Sequence, residues 1–406
     1  MSAPSDLRPD LVLRPGLLID GVAETARTGW ELGVSGGRIT HVGPVGTGSV
    51  AGRQIVDLPH ATLIPGLIDC HVHYLFDPRI ETGNSVELAS TQPTETLMLV
   101  GARNARLALQ AGVTTARSAG APRDLDIALA AGIARSDVIG PRLLPAGRAV
   151  TITGGHGSPF GLIADSAPEM VRAVRRLVGA GAQVIKAVAS EAAMLTDDRA
   201  GVAEMSAAEL SALVAEAGRL RRKVMAHAQD SVSVRAAAEA GVASIEHAFL
   251  ADEAALAAVA RSGVALTPTL VVTDVYRSLP KLSVDQQRRQ EELAMLHRSS
   301  CETAIGMGIP IVTGTDCGLR GVGPDLVWRE VELLTEHGMT AMEALRGATI
   351  RAARLLGLES EIGSLEEGKQ ADLVAVNGDP TADPGCLSDP VLVMQKGVLV
   401  SDRRPV

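Results

Sequence analysis

Between residues 63 and 316 the chain carries eight short apolar runs: LIPGLID (63–69), GVTTARS (112–118), RLLPAGRAV (142–150), AQVIKAV (182–188), KVMAHA (223–228), VASIEH (242–247), VALTPTL (264–270) and IPIVTGTD (309–316). Stretches with helical spacing of apolar positions separate them. TETLMLVGARNARLALQAG (94–112) ends in glycine, AEMSAAELSALVAEAGRLRR (203–222) opens on a capping-box pattern of Ser206 and Glu209, and VDQQRRQEELAMLHRSSCETAIGMG (284–308) predicts a long helix with a polar face. Apolar runs alternating with amphipathic helices predict βα units and a parallel sheet. Eight units in the middle of one chain predict an α/β fold, a (β/α)₈ TIM barrel somewhat enlarged by insertions.

The two ends read differently. DLVLRPGLLID, WELGVSGGRITHVGP and RQIVDLPHATLIPG are short alternating stretches broken by Gly-rich turns, and KQADLVAVNGDP and DPVLVMQKGVLVSDRRPV repeat the pattern in the tail. That is a β-meander signature. Segments 1–66 and 359–406 are therefore expected to pair into a small β-sandwich domain, with the barrel domain, 67–358, inserted between them.

Hydrophobic residues make up 46% of the chain and aromatics only 2%. Such a core is built from Ala, Val, Leu and Ile, as suits a parallel sheet covered by helices. The net charge of −9 argues against nucleic acid as a partner. Cys70, Cys301, Cys317 and Cys386 form no C-x-x-C pair and read as buried thiols. The sequence shows no apolar run long enough to span a bilayer, and the polar N-terminus MSAPSDLRPD does not read as a secretory signal. The expectation is a cytoplasmic protein with a small-molecule substrate and no membrane partner.

Chemistry gathers at the carboxyl ends of the runs, where barrel active sites lie. His71 and His73 end the first run, and their period-two spacing sets both on one side of the chain, so H-x-H can grip one metal ion. His227 and His247 end the fifth and sixth and could hold a second ion. Asp316 ends the eighth and could ligate a metal while accepting a proton. Lys186 lies inside VIKAV, where an uncompensated ammonium is costly. A buried lysine tends to lose its proton. The neutral amine can take up carbon dioxide and become a carbamate, an anion able to bridge two cations. The plainer alternative pairs Lys186 with a buried carboxylate, Asp316 being the obvious one.

IPGLIDCHVH, Lys186, His227, His247, GTDCG and the tail pattern IGSLEEGKQADLVAV together resemble the amidohydrolase superfamily, over nearly the whole chain. AGVTTARSAG, GPRLLPAGRAVTITGGHG, SIEHAFLADE and ALTPTL are similar to the branch with imidazolonepropionase-related enzymes and binuclear dipeptidases, prolidase-like or cleaving before Arg or Lys. The resemblance implies two divalent ions, with zinc favoured and manganese or cobalt also suited, bridged by N6-carboxylated Lys186 and a hydroxide. His71, His73 and Asp316 would serve one ion, His227 and His247 the other. Asp316 would act as general base and then acid. Relatives are commonly homo-oligomers.

Further candidates carry alternatives. His156, in the glycine-flanked TITGGHGSPF, could donate to a developing oxyanion or simply pack in its loop. Arg117 could pair with a substrate carboxylate or with a buried acid. Arg148 and Arg320 are weaker carboxylate candidates. Tyr74 and Tyr276, the only tyrosines, could mark substrate-binding loops. Asp230 sits where superfamily deaminases carry a glutamate, one methylene longer, and together with Lys186 this disfavours deamination. The leading expectation is cleavage of an amide bond in a dipeptide or N-acyl amino acid. Cyclic-amide opening, as in imidazolonepropionase, and carbamate or xenobiotic amide hydrolysis on an ochratoxin-like substrate are the alternatives. A non-catalytic scaffold is disfavoured because every ligand position is filled.

Overall fold

The computed structural model describes residues 10–48, 52–81, 83–193 and 201–404. A (β/α)₈ barrel forms the middle of the chain, and strands from both termini form a separate sheet.

The terminal sheet has seven strands in the order Val398–Asp402, Pro390–Gln395, Leu373–Asn377, Gln54–Pro65, Leu11–Leu18, Trp30–Ser35 and Arg38–Pro44. The two ends of the chain meet where Leu373–Asn377 pairs antiparallel with Gln54–Pro65. Alternating apolar side chains, among them Leu11, Leu13, Leu32, Leu63, Leu373 and Leu392, enclose a core of their own. Only Gly66 then separates Gln54–Pro65 from Leu67–Val72, which opens the barrel.

In the barrel, Leu67–Val72, Val113–Ser118 and Arg142–Leu144 pair in parallel. So do Val150–Thr151, Val184–Val188, Lys223–Asp230, Ser244–Leu250 and Ala265–Thr267. The third run is thus two short strands rather than one. Pro145 has no amide proton to give a ladder. Its carbonyl accepts from the Gln183 amide at 2.8 Å, and the amides of Ala146 and Gly147 turn instead to the buried Asp126 carboxylate.

The eighth run, 309–316, is no regular strand, yet it closes the ring. The Val312 amide donates to the Leu266 carbonyl at 3.0 Å on one side, and the Cys70 amide donates to the Thr313 carbonyl at 2.9 Å on the other.

Helices follow the strands, among them Thr94–Gln110, Ala167–Ala180, Ala207–Arg219, Ser231–Ala240, Glu253–Ser262, Val284–Gly306 and Val327–Glu336. The capping box of Ser206 and Glu209 is formed. Among the described residues no helix is long and apolar enough to cross a membrane.

Candidate metal centre

All six proposed ligands line one cleft of about 410 Å³ at the carboxyl ends of the barrel strands. The barrel brings together side chains up to 245 positions apart because parallel strands all end at the same rim.

The tightest group is His71, His247 and Asp316, whose ligand atoms lie within 4.8 Å of one another. Asp316 Oδ1 is 3.3 Å from Nε2 of His71 and 3.3 Å from Nε2 of His73. Lys186 Nζ is 3.5 Å from His71 Nε2. His227 joins through its ring, 4.6 Å from that of His247. Its Nε2 is buried and has no hydrogen-bond partner among the described residues. A buried nitrogen without a partner is costly unless something binds there.

The other nitrogens are committed behind the cleft. His71 Nδ1 lies 2.7 Å from Glu246 Oε2, His73 Nδ1 is 3.0 Å from the Gly120 carbonyl, and His247 Nδ1 is 2.8 Å from Thr269 Oγ1. Partners of this kind fix ring orientation and tautomer in metal-binding histidines. Backbone strain gathers here too. His247, Ala248, Thr269 and Asp316 all have positive φ, at 76°, 53°, 56° and 57°. Non-glycine residues rarely adopt this region, and it recurs at functional sites.

Burial sets the charge states. It pushes His227 and His247 well below the ordinary imidazole range and His73 to about 3, so these rings stay neutral, the form that binds a metal. Burial likewise pulls Lys186 down to about 8, against the raising effect of Glu246 and Asp316. Burial alone would raise Asp316, but His71, His73 and Lys186 outweigh it and hold the carboxylate well below its ordinary range.

The structure sorts the remaining candidates. His156 lines the cleft with its ring 4.7 Å from that of His227, and Tyr276 lines it as well. Arg117, expected as a substrate contact or a buried ion pair, is only 1% exposed and does not reach the cleft. Its guanidinium donates to the Cys70 carbonyl at 2.6 Å, Ser244 Oγ at 2.9 Å and Glu246 Oε1 at 2.9 Å. Tyr74, expected at the substrate, is also buried off the cleft, since alternation along the chain turns it away from the side of His73. Arg148 pairs with Asp124, and Arg320 donates to the Pro280 carbonyl. Asp230 caps helix Ser231–Ala240 by accepting from the amides of Val232 and Ser233, so its carboxylate serves the helix.

Three acids escaped the sequence reading. Glu246 holds His71 and Arg117. Asp69 accepts from the amides of His71 and Thr315 and from Thr315 Oγ1, tying the first run to the eighth. Glu204 accepts from the His156 amide at 2.7 Å and steadies that loop. Glu246 and Asp69 are next or nearly next to histidines within apolar runs, a signal that a buried acid needs a partner. Nothing local marks Glu204.

The amidohydrolase family profile matches residues 62–400. The chain is 31% identical to ochratoxinase from Aspergillus niger, the alignment covering 96% of this chain and 86% of that protein. It is 28% identical to imidazolonepropionase from Methylobacterium nodulans, over 91% of this chain and 89% of that one. A crystal structure of a Xaa-Pro dipeptidase superposes with a TM-score of 0.87 at 25% identity, covering 96% of this chain and 99% of the other.

Proposed function

Taking as premise that the chain belongs to the amidohydrolase family and is a hydrolase acting on C–N bonds, we propose that it cleaves the amide bond of a dipeptide or an N-acyl amino acid with the help of two divalent metal ions. One observation carries the reading. Four imidazoles, a carboxylate and a buried lysine amine converge in one cleft, and His227 leaves a buried nitrogen without a partner among the described residues. This donor set suits zinc, manganese or cobalt.

His71, His73 and Asp316 would hold one ion, His227 and His247 the other, with Lys186 as an N6-carboxylated bridge between them. The lysine's lowered pKa supports that bridge, because only the neutral amine adds carbon dioxide. When bound, such ions polarise the scissile carbonyl and acidify water. The protein does the rest. Asp316, held ionised, accepts the proton of the attacking water and passes it to the leaving nitrogen. His156, on the cleft wall, donates to the oxygen that gains charge. Arg117 and Glu246 do not touch substrate; they hold His71 in place from behind.

The similarity to ochratoxinase favours one second reading, hydrolysis of a xenobiotic amide of the ochratoxin kind. Cyclic-amide opening has the imidazolonepropionase similarity behind it, but no use for a lysine bridge. Deamination loses its support with Asp230 committed to a helix cap.

The test is turnover of a library of dipeptides and N-acyl amino acids by metal-reconstituted protein. Amide cleavage supports the reading. Inactivity on all of them, with opening of a lactam or cyclic imide, overturns it.

A further inference from the structure

We propose that Glu191, a fourth acid beside the site, is a positioning residue for His156: its carboxylate holds Nδ1 of the imidazole and leaves the other ring nitrogen to the cleft, while Glu204 holds the backbone of the same residue. This role rests on the reading in which His156 serves the amide reaction, and Glu191 itself never meets substrate.

His156 belongs to a glycine-rich loop, TITGGHGSPF, and such a loop does not aim a ring by itself. Its backbone is tied on both sides. The amide donates to Glu204 Oε1 at 2.7 Å, and the carbonyl accepts from Thr151 Oγ1 at 2.8 Å. A Cβ at Gly155 would lie 2.7 Å from Glu204 Oε2, so the glycine is what admits the acid. These ties leave the side-chain torsions unset. The ring lies beside that of His227, with centroids 4.7 Å apart and planes 32° from parallel. Its Nδ1 is 3.4 Å from Glu191 Oε1.

Glu191 is itself fixed. It is buried, and it follows Lys186 on the segment that leaves strand Val184–Val188. Its amide donates to the Val202 carbonyl at 2.8 Å, and the Glu204 amide donates to the Ala189 carbonyl at 2.8 Å. This short antiparallel pairing, centred on Ser190 and Ala203, brings the two acids together. The Ala189 amide donates to the His227 carbonyl at 2.8 Å, and the Ala192 amide donates to Glu191 Oε1 at 3.1 Å. One segment thus delivers Lys186 to the proposed ions and Glu191 to His156.

Charge favours the same pairing. Burial pushes Glu204 up to about 7, against the lowering effect of the His156 amide, and Glu191 beside it adds to the rise. Neighbouring carboxyls resist being ionised together. Glu204 keeps its proton the more readily, which leaves Glu191 as the anion that accepts from Nδ1. When the other ring nitrogen also carries hydrogen and donates into the cleft, Glu191 balances the charge. Catalytic hydrogen bonds commonly tighten from such a length once substrate is bound. A competing account makes the two acids a staple between loops that leaves the ring indifferent.

Nitrogen NMR of the zinc-loaded full-length protein, labelled in its histidine rings, separates the two accounts without turnover. The His156 signals are identified by their loss in His156→Ala. In the wild type Nδ1 should carry a hydrogen. Glu191→Ala should move that signal towards the hydrogen-free position and leave the other histidines in place. Glu191→Leu removes the carboxylate with much of the volume kept, so a folding defect in one variant, read from its melting temperature, leaves the other informative. An unmoved Nδ1 signal, a shift shared by all nine histidines, or loss of folding in both variants overturns the positioning role. Kinetics gives a second readout. Glu191→Ala should lower kcat about 10- to 100-fold with KM changed less than about 3-fold, and should cost less than about 3-fold where His156 is already Ala. An equal loss in both backgrounds overturns the role and leaves the amide reading standing. Should no amide be turned over, the reaction falls, and the ring signals alone decide the pair.

Discussion

His71 Nδ1 lies 2.7 Å from Glu246 Oε2, and the other oxygen of that carboxylate accepts from Arg117 at 2.9 Å. All three side chains are almost wholly buried. Burial alone would raise the Glu246 pKa, but Arg117, His71 and Lys186 together hold it at about 2. Glu246 is therefore an anion that orients a proposed ligand on one side and neutralises a buried guanidinium on the other. Glu246→Gln should lower metal affinity by about 10- to 100-fold while the fold persists. Metal titration of the apo-protein checks this; an unchanged affinity contradicts the orienting role.

Gly314 faces the same histidine. A Cβ at this position would lie 2.8 Å from the Cβ of His71 and would also collide with the Thr267 side chain. Gly314→Ala must push the first and eighth segments apart, at a cost of about 1–3 kcal/mol. The expected result is a lower unfolding midpoint together with a metal content below that of the wild type. Full metal content at wild-type stability would contradict the close packing.

Asp316 accepts a proton in the proposed mechanism and is kept ionised to do so. Asparagine has nearly the same shape and cannot take that proton. Asp316→Asn should cut kcat by roughly 10²- to 10⁴-fold on whichever amide is turned over. Steady-state kinetics on protein with matched metal content decides, and a loss confined to KM would contradict the shuttle.

Glu330 supplies a pH dependence away from the ligands. It is buried beneath Leu270 and Val271 and accepts their amide protons at 3.0 and 2.9 Å. Burial raises its pKa from 4.5 to about 8. The folded protein then keeps a proton that the unfolded chain has already released, so stability falls as pH rises. The window runs from about 4.5 to about 8, with the contribution flat above it. Between pH 5 and 8.5 the wild type should lose melting temperature more steeply than Glu330→Gln. Parallel curves would contradict the assignment.

The convergence of the six candidate residues on one cleft was legible because each lies at or near the end of an apolar run, and strand ends in a barrel share one rim. The two terminal β segments were legible from alternation broken by glycines. Arg117 was not, because a strand-end arginine looks the same whether its guanidinium turns to the cleft or to a buried acid. Only the position of Glu246, 129 residues away, decides that. Tyr74 misled by adjacency, since neighbours on an extended chain face opposite ways. The third and eighth runs were expected as plain strands. Pro145 and Pro310 each remove a ladder donor, and the backbone there bonds across the barrel in an irregular path.

The central claim is that Lys186 bridges two cations among His71, His73, His227, His247 and Asp316. A crystal structure of the metal-loaded protein, grown with bicarbonate and recorded at the metal's absorption edge, tests it most directly. Two anomalous peaks in the cleft, with density continuing beyond Nζ of Lys186 towards both, is the predicted result. A single peak or none, with Lys186 ending as a free amine, would contradict it.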